Sequence, residues 1–205
     1  MPAKTMEKER QLVLASTSVY RGALLARLGI PFTSEAPGVD ETALPGETPA
    51  NTACRLAEAK ARAVAARMPG ALVLGSDQVA DVDGAAIGKP GDHETAVRQL
   101  VALSGRSVVF HTAVALVNAA TGRSDVRLVD VTTKFRTLTR AGIDAYLRRD
   151  QPYDCAASIK AETLGIAIVE SIQSDDPTAL IGLPLITVVD LLRAEGIDVL
   201  ASAAP

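Results

Sequence analysis

Short apolar blocks alternate with helical repeats along the first part of the chain. Residues 12–15 are apolar and predict a strand, and a helical repeat at residues 20–28 follows closely. Ser18 stands where a helix N-cap is expected, and Gly29 stands where the helix should end. The pattern predicts a strand, a hydroxyl-rich loop and a helix, whose free amides form a candidate anion site together with Arg21. The alternative is a capped helix that carries a surface arginine.

A second helix is predicted over about residues 49–67, since Thr48 followed by proline is typical of a helix start. Its apolar stripe contains an unexpected lysine, because Lys60 lies four residues from both Leu56 and Val64. Such a lysine either extends past the core to solvent or reaches into a site where a negative ligand offsets its desolvation.

The next apolar run, residues 72–79, predicts a buried strand that delivers the carboxylate of Asp77 at its end. A turn signal at residues 81–84 predicts a hairpin that returns Lys89 to the neighbourhood of this acid. Asp92 is expected to cap a structural helix over residues 93–103. The strand and the hairpin together are a candidate floor for an active site.

The remaining pattern predicts most of the sheet and two further helices. We expect antiparallel strands at residues 108–118 and 126–135, a short helix after Thr139, an irregular polar loop at 152–162, a strand at 164–172 and a terminal helix at 184–194. No internal repeat or long linker divides the chain. We therefore expect one domain over residues 1–205, in which residues 1–11 are a polar leader.

Composition narrows the class of protein and of ligand. A net charge of -3 and an aromatic content of 3% argue against a nucleic-acid partner, which would need a basic surface and stacking platforms. Two cysteines and two histidines do not supply a zinc site of the Cys/His type. Residues 1–11 lack the apolar core of a signal peptide, and no later run reaches the length of a membrane span. We therefore expect a cytoplasmic protein with no membrane partner.

The available residue types exclude several catalytic classes. No histidine lies near a nucleophile elbow, and neither the Walker A motif nor the glycine-rich dinucleotide motif is present. Carboxylates and cations remain. Glu41 and Asp77 could hold a divalent metal through oxygen, while Arg21, Lys60 and Lys89, with Lys160 as a further candidate, offset phosphate charge. This combination is typical of the attack of water on a phosphoanhydride.

Five short segments occur in a characteristic order along nearly the whole chain, from about residue 12 to residue 197. They are Leu14-Ala15-Ser16-Thr17-Ser18-Val19-Tyr20-Arg21, Val39-Asp40-Glu41, Gly75-Ser76-Asp77-Gln78, Gly88-Lys89-Pro90 and Ile181-Gly182-Leu183-Pro184. This ordered set resembles the Maf family of nucleotide pyrophosphatases. The resemblance implies a mixed α/β sheet with helices packed in two lobes around a deep nucleotide cleft, in a cytoplasmic protein that is often a homodimer.

The resemblance also implies a role for each matching residue. Asp77 would be the general base or the metal-linked carboxylate at the attacking water, and Glu41 would be a partner acid that helps to hold Mg2+ or Mn2+. Lys89 would assist them in catalysis. The residues implied to grip the triphosphate are Ser16, Arg21, Lys60 and Lys89.

Three further positions separate branches of the family, and here they are Tyr20, Gln78 and Glu162. This combination is similar to the branch that acts on 7-methyl-GTP. A carboxylate such as Glu162 can accept from both N1–H and N2–H of guanine, and the ring of Tyr20 would favour a base made cationic by N7 methylation. Gln78 would contact the base or the ribose. The alternative is that Tyr20 covers the helix start, Gln78 is solvated and Glu162 pairs with Lys160.

Three residues depart from the family pattern. Val19 stands where proline is common, and Ala157 and Thr163 replace glycines that are expected beside Ser158 and after Glu162. Glycine permits backbone conformations that alanine and threonine resist. We therefore expect the backbone of the loop that carries Glu162 to differ from that of the family.

The resulting hypothesis is metal-dependent hydrolysis of 7-methyl-GTP to 7-methyl-GMP and diphosphate, as housecleaning of the nucleotide pool. The alternatives are a dTTP or UTP pyrophosphatase of the same family, a non-catalytic nucleotide-binding regulator of septum formation, and a plain phosphatase.

Overall fold

A twisted mixed sheet runs through the computed structural model, which describes residues 10–201. Most of the predicted polar leader therefore lies outside the described residues. The strands are β1 (Leu12–Leu14), β2 (Thr33–Ser34), β3 (Leu72–Val82), β4 (Ala85–Ile87), β5 (Ser107–Asn118), β6 (Ser124–Phe135) and β7 (Val169–Gln173). Their order is β2-β1-β3-β5-β6-β7, and β4 pairs with β3 outside this path. Strand β1 is parallel to β2 and β3, whereas every other pairing is antiparallel.

Five α-helices accompany the sheet in the described part of the chain, as the helical repeats predict. They are α1 (Val19–Ala26), α2 (Pro49–Ala65), α3 (His93–Leu103), α4 (Arg140–Asp150) and α5 (Leu185–Ala194). Four begin at a side chain that accepts a hydrogen bond from a first-turn amide, namely Ser18, Thr48, Asp92 and Thr139. These four caps confirm the predicted helix starts. No helix within residues 10–201 combines the length and the apolarity needed to cross a bilayer.

The two long central strands β3 and β5 pass through two lobes, each with its own apolar packing. In one lobe, α1 and α5 pack on one face of β1 and of the first half of β3, while α2 packs on the other face. Successive residues of β1 and β3 alternate between these two faces, as strand geometry requires. In the other lobe, α3 and α4 cover the second half of β3 and the first half of β5. The predicted mixed α/β fold with two lobes is confirmed.

Two predicted strand boundaries were wrong. Strand β3 continues to Val82 because it pairs with β5 along almost its whole length and with β4 at its end. Asp77 therefore lies in the middle of the strand and not at its end. The predicted strand at residues 164–172 is half 3₁₀ helix, over Leu164–Ile168, and only Val169–Gln173 is extended. The amide of Gly165 donates to the Lys160 carbonyl and turns the chain back on itself.

Candidate active site

Two adjoining cavities lie between the lobes. The larger, which we call the main cavity, has a volume of about 620 Å³, and the smaller side cavity has a volume of about 100 Å³. Tyr20, Arg21, Gln78 and Lys89 contribute to the walls of both. The main cavity is also lined by Ser16, Glu41, Lys60 and Asp77, and the side cavity by Glu162. The structure therefore brings all nine predicted site residues together around one continuous space.

A buried cluster of charges forms the floor of the main cavity. The Lys60 ammonium lies 2.6 Å from Oδ1 of Asp77 and 2.7 Å from Oε1 of Glu41. Lys60 is 4% exposed and Asp77 is 7% exposed, whereas Glu41 is open to solvent. Lys60 therefore reaches into a site where carboxylates offset its charge, and the alternative of a lysine extending to solvent is wrong.

The approach of α2 to β3 depends on Gly75. A Cβ at this position would clash with the carbonyl oxygen of Ala57 and would lie 2.7 Å from the backbone nitrogen of Ala61. Asp77 follows Gly75 by two residues, so its side chain is on the same face of the strand and points towards α2. The absence of a side chain at Gly75 thus brings the helix that carries Lys60 within reach of Asp77.

The two carboxylates of the cluster differ in acidity. Burial raises the pKa of Asp77, although the charges of Lys60 and Arg21 oppose this change. Partial burial also acts to raise the pKa of Glu41, but the hydrogen bond and charge of Lys60, and then the charges of Lys89 and Arg21, outweigh it and lower the pKa. Asp77 is therefore the stronger base of the pair, and environments that separate two pKa values in this way are typical of acid–base sites.

The β1–α1 loop and the first turn of α1 supply the predicted anion site. The Oγ of Ser16 accepts from the amide of Ser18 at 3.1 Å, which leaves the hydroxyl hydrogen able to donate. The Nε of Arg21 donates to the Gly182 carbonyl oxygen at 2.9 Å and fixes the guanidinium beside the cavity. Burial lowers the pKa of Arg21, and the charges of Asp77 and Glu41 oppose that change. Lys89 lies exposed where the two cavities meet.

Gln78 is held rigidly between the two cavities and is not simply solvated. Its Nε2 donates to Oγ1 of Thr112 at 2.9 Å and to the carbonyl oxygens of Ala179 and Leu180 at 3.0 Å each. Backbone carbonyls only accept, so they require the NH2 group on this side of the amide. Gln78 consequently offers an acceptor, Oε1, to a ligand. Sequence reasoning missed Thr112 and the two carbonyls, because nothing in their local pattern marks them.

Tyr20 and Glu162 complete the side cavity. The Lys160 ammonium lies 5.6 Å from the centre of the Tyr20 ring, within the range of a cation–π contact, and it donates to the Asp150 carbonyl oxygen at 3.3 Å. One side of the ring thus already faces a cation. Glu162 is exposed at the cavity wall. Burial raises the pKa of the neighbouring Cys155 to about 12, so this thiol stays neutral.

The backbone near Glu162 adopts the conformation that glycine favours. Ala157 has φ 53° and Ser158 has φ 57°, both in the left-handed region. The predicted departure at Ala157 is therefore a position where a non-glycine residue takes a disfavoured conformation. Both residues are buried, and Oγ of Ser158 donates to Oε1 of Gln99 at 2.6 Å, which holds the segment in place. Thr163, by contrast, has a negative φ of -129°.

The carboxylates of the site could hold a divalent metal only if a bound ligand supplied some of the coordinating oxygens. Within the described residues, no group of three or more histidine, cysteine, aspartate or glutamate side chains could hold a metal ion. Asp77 and Glu41 nevertheless lie close together, since both contact the Lys60 ammonium, which occupies the point between them. Mg2+ is commonly bound by one or two carboxylates together with water and substrate phosphates, and this pair suits that arrangement.

Comparison with known proteins gives matches over most of the chain. The model of the family described as Maf-like protein matches residues 11–195. The chain is 57% identical to the 7-methyl-GTP pyrophosphatase of Albidiferax ferrireducens over 95% of this chain and 98% of that one. It is 56% identical to the 7-methyl-GTP pyrophosphatase of Bordetella pertussis over 92% of this chain and 94% of that one. A solved HAM1 protein from Coxiella burnetii shares the fold, with a TM-score of 0.53 and 19% identity over 90% of this chain and 99% of that one.

Proposed function

Since the chain belongs to the Maf-like family, we propose that it hydrolyses 7-methyl-GTP to 7-methyl-GMP and diphosphate. The observation that carries the proposal is the buried pair of Lys60 and Asp77 with the exposed Glu41 beside it, which adjoins a side cavity walled by Tyr20 and Glu162. The charged cluster suits the hydrolysis of a phosphoanhydride, and the side cavity suits a purine base. Relatives that carry the name 7-methyl-GTP pyrophosphatase support the choice of nucleotide.

In the proposed reaction Asp77 accepts a proton from the attacking water. A bond from the water oxygen to phosphorus forms as the anhydride bond breaks, and diphosphate leaves. Burial makes Asp77 a better base than an exposed aspartate, while the Lys60 ammonium keeps it ionised. Water is thereby activated by a carboxylate whose position is set by a strand and a helix.

The triphosphate is bound by the cations and donors of the main cavity. We assign this role to the Ser16 hydroxyl, the free N–H groups of Arg21, and the ammonium groups of Lys60 and Lys89. Asp77 and Glu41 would hold Mg2+ or Mn2+ together with the phosphates. When bound, the metal supplies positive charge that offsets the charge developing on the phosphate oxygens.

The base is selected in the side cavity. We assign Glu162 to the N1–H and N2–H donors of the guanine ring, whose N7 methylation adds a positive charge that a carboxylate favours. Gln78 offers an acceptor towards the same ligand. The Tyr20 ring contributes a flat apolar surface, and the resident ammonium of Lys160 weakens its attraction for a cationic base. Charge discrimination is therefore assigned mainly to Glu162.

Nucleotide profiling tests this function. Purified protein with Mg2+ is offered 7-methyl-GTP, GTP, dTTP and UTP, and diphosphate and nucleotide products are measured separately. We expect the highest kcat/KM for 7-methyl-GTP and release of diphosphate. Faster turnover of dTTP or UTP would contradict the choice of base, tight binding without turnover would indicate a regulator, and release of inorganic phosphate from the monophosphate would indicate a phosphatase.

Metal dependence and cellular setting have their own tests. Protein dialysed against EDTA is expected to lose turnover and to regain it with Mg2+ or Mn2+; full activity of the dialysed protein would contradict the metal. We also propose, from the family resemblance, a cytoplasmic homodimer. Cell fractionation and light scattering on the purified protein measure the two properties directly.

A further inference from the structure

A buried carboxylate outside both cavities, Asp176, has no role in the proposed mechanism. It is 2% exposed, and each of its oxygens accepts two hydrogen bonds. Oδ1 accepts from the amide and the hydroxyl of Thr178, at 3.1 and 2.8 Å. Oδ2 accepts from the amides of Ile186 and Thr187 in the first turn of α5, at 2.8 and 3.3 Å. Because Pro184 provides no side-chain cap for α5, Asp176, eight residues earlier in the chain, takes that place.

Asp176 and Thr178 together close a short loop. The Oγ1 of Thr178 accepts from the amide of Leu185 at 2.8 Å and lies 2.8 Å from the Leu183 carbonyl oxygen. Residues 179–182 are thus tied to α5 at both ends. The loop is also compact, since Ala179–Ile181 forms a 3₁₀ turn.

The carbonyl oxygens of this loop hold side chains of both cavities. Those of Ala179 and Leu180 accept from Nε2 of Gln78 at 3.0 Å each. That of Gly182 accepts from Nε of Arg21 at 2.9 Å and from Oγ of Ser76 at 2.8 Å. The orientation of Gln78 and Arg21 therefore depends on where these carbonyls point, which in turn depends on the loop closure at Asp176.

We propose that Asp176 is a positioning residue that sets nucleotide discrimination through the loop of residues 179–182. The choice of nucleotide in this inference rests on the proposed function, whereas the hydrogen bonds that link Asp176 to Gln78 through the loop do not. With the loop closed, Gln78 presents its Oε1 acceptor, which suits the second N–H of the guanine amino group, the one that Glu162 leaves free. When the loop loosens, the amide turns and presents NH2, which suits the carbonyl acceptors of uracil and thymine. Asp176 thereby favours guanine nucleotides without touching them.

The variant Asp176→Asn tests this role. Asparagine has the same shape, but its NH2 must face either the donors of Thr178 or the donors of α5, because every partner of the carboxylate is a donor. We expect the ratio of kcat/KM for 7-methyl-GTP to that for UTP to fall about fivefold or more, with KM affected more than kcat, since hydrogen bonds to charged groups are among the stronger ones. The neighbouring exposed Asp175 provides the matched control, and Asp175→Asn should leave the ratio unchanged.

A second readout does not require any substrate. In ¹⁵N spectra of the whole protein, the side-chain NH2 of Gln78, assigned with Gln78→Met, should give two separate resonances, and in Asp176→Asn they should shift and broaden. If wild-type protein does not turn over 7-methyl-GTP, the proposed function fails while this test of positioning still stands. Thr178→Val keeps the side-chain shape and removes the hydroxyl. It should change the kcat/KM ratio and the Gln78 resonances in the same direction as Asp176→Asn, and it replaces that variant if Asp176→Asn does not fold. Folded variants with unchanged Gln78 resonances, or with equal losses for every nucleotide, would overturn the proposal.

Discussion

The main cavity and the side cavity have walls of different construction. The group proposed as the base in the main cavity, Asp77, is on the central strand β3. Its partner Lys60 is on α2, which Gly75 allows to pack closely against that strand. The side cavity is bounded by irregular backbone with two residues in the left-handed region, and its acid, Glu162, is exposed. Regular elements thus position Asp77 and Lys60, while loops carry Glu41 and the group assigned to the base, Glu162.

This difference explains how chemistry and selectivity can be separated in one cleft. Groups on a packed strand and helix are held within small tolerances, which suits a reaction that must be the same for every substrate. Groups on loops tolerate substitution, which suits a function that varies among relatives. Changes in the main cavity should therefore affect all nucleotides alike, whereas changes in the side cavity should alter the ratios between them.

The largest effect is expected from Asp77→Asn. An amide cannot accept the proton of the attacking water, so kcat should fall about 10²–10⁴-fold for every nucleotide. Initial rates with 7-methyl-GTP, GTP and UTP measure this, together with the melting temperature. Asp81→Asn changes a carboxylate on the same strand that contacts His111 at 3.2 Å, and it should have little effect on turnover. Turnover near the wild-type level in Asp77→Asn would remove this residue from catalysis.

Gly75→Ala should disrupt the packing that brings Lys60 to Asp77. The added Cβ meets the Ala57 backbone, so α2 must move away from β3, at a cost of about 1–3 kcal/mol in the free energy of unfolding. Turnover should fall for all nucleotides alike. Denaturant unfolding and steady-state rates measure the two consequences.

Two other glycines provide comparisons for this variant. A Cβ on Gly165, three residues after Glu162 of the side cavity, would lie 2.7 Å from the Lys160 carbonyl carbon, so Gly165→Ala should mainly alter nucleotide ratios. A Cβ on Gly22 has open space around it, so Gly22→Ala should leave turnover and the nucleotide ratios unchanged, and alanine within α1 should stabilise the fold slightly. If Gly165→Ala lowered turnover equally for all nucleotides, the assignment of catalysis to the main cavity and of base selection to the side cavity would be contradicted.

Lys60→Met should change the pH dependence of turnover. Burial already raises the pKa of Asp77, and Lys60 is the main opposing charge, so its loss should raise this pKa further. A base is inactive when protonated, and the acidic limb of the profile of kcat/KM against pH should therefore move to higher pH, by about one unit or more. Lys134→Met, on β6, is the control. If the acidic limb of the profile did not move in Lys60→Met, a group other than Asp77 would control it.

Glu162→Gln should affect selectivity and leave the chemistry intact. The substitution keeps the shape of the side chain but removes the charge that favours a cationic base. The ratio of kcat/KM for 7-methyl-GTP to that for GTP should fall about five- to tenfold, as expected for one exposed charge interaction. Glu170→Gln, on the exposed strand β7, should have no effect, and an equal loss for both nucleotides would contradict the assignment.

The smallest effect is expected from Lys160→Met, and it has the opposite sign. Removing the ammonium beside the Tyr20 ring frees that ring for a cationic base, so the same ratio should rise about two- to fivefold. A fall in the ratio would instead indicate that Lys160 assists binding of the methylated base.

Most of the fold was predictable from local pattern. Four helix caps, the alternation of β1 and β3, and the hairpin that carries Lys89 all follow from short-range rules of side-chain direction and turn chemistry. The strand over residues 164–172 was mispredicted because an apolar run does not reveal a carbonyl that lies close enough to turn the chain at Gly165.

The residue types of the site, and their order along the chain, were determined by the sequence. It also marked Lys60 as a lysine in an apolar stripe, but it left open whether that side chain turned outwards or inwards. Only the tertiary structure decided this, because the partner of Lys60 lies on a strand that packs against its helix. The same holds for Gln78, whose orientation depends on carbonyls about a hundred residues later in the chain. Local pattern sets the direction of a side chain, whereas its partners are set by contacts between segments far apart in sequence.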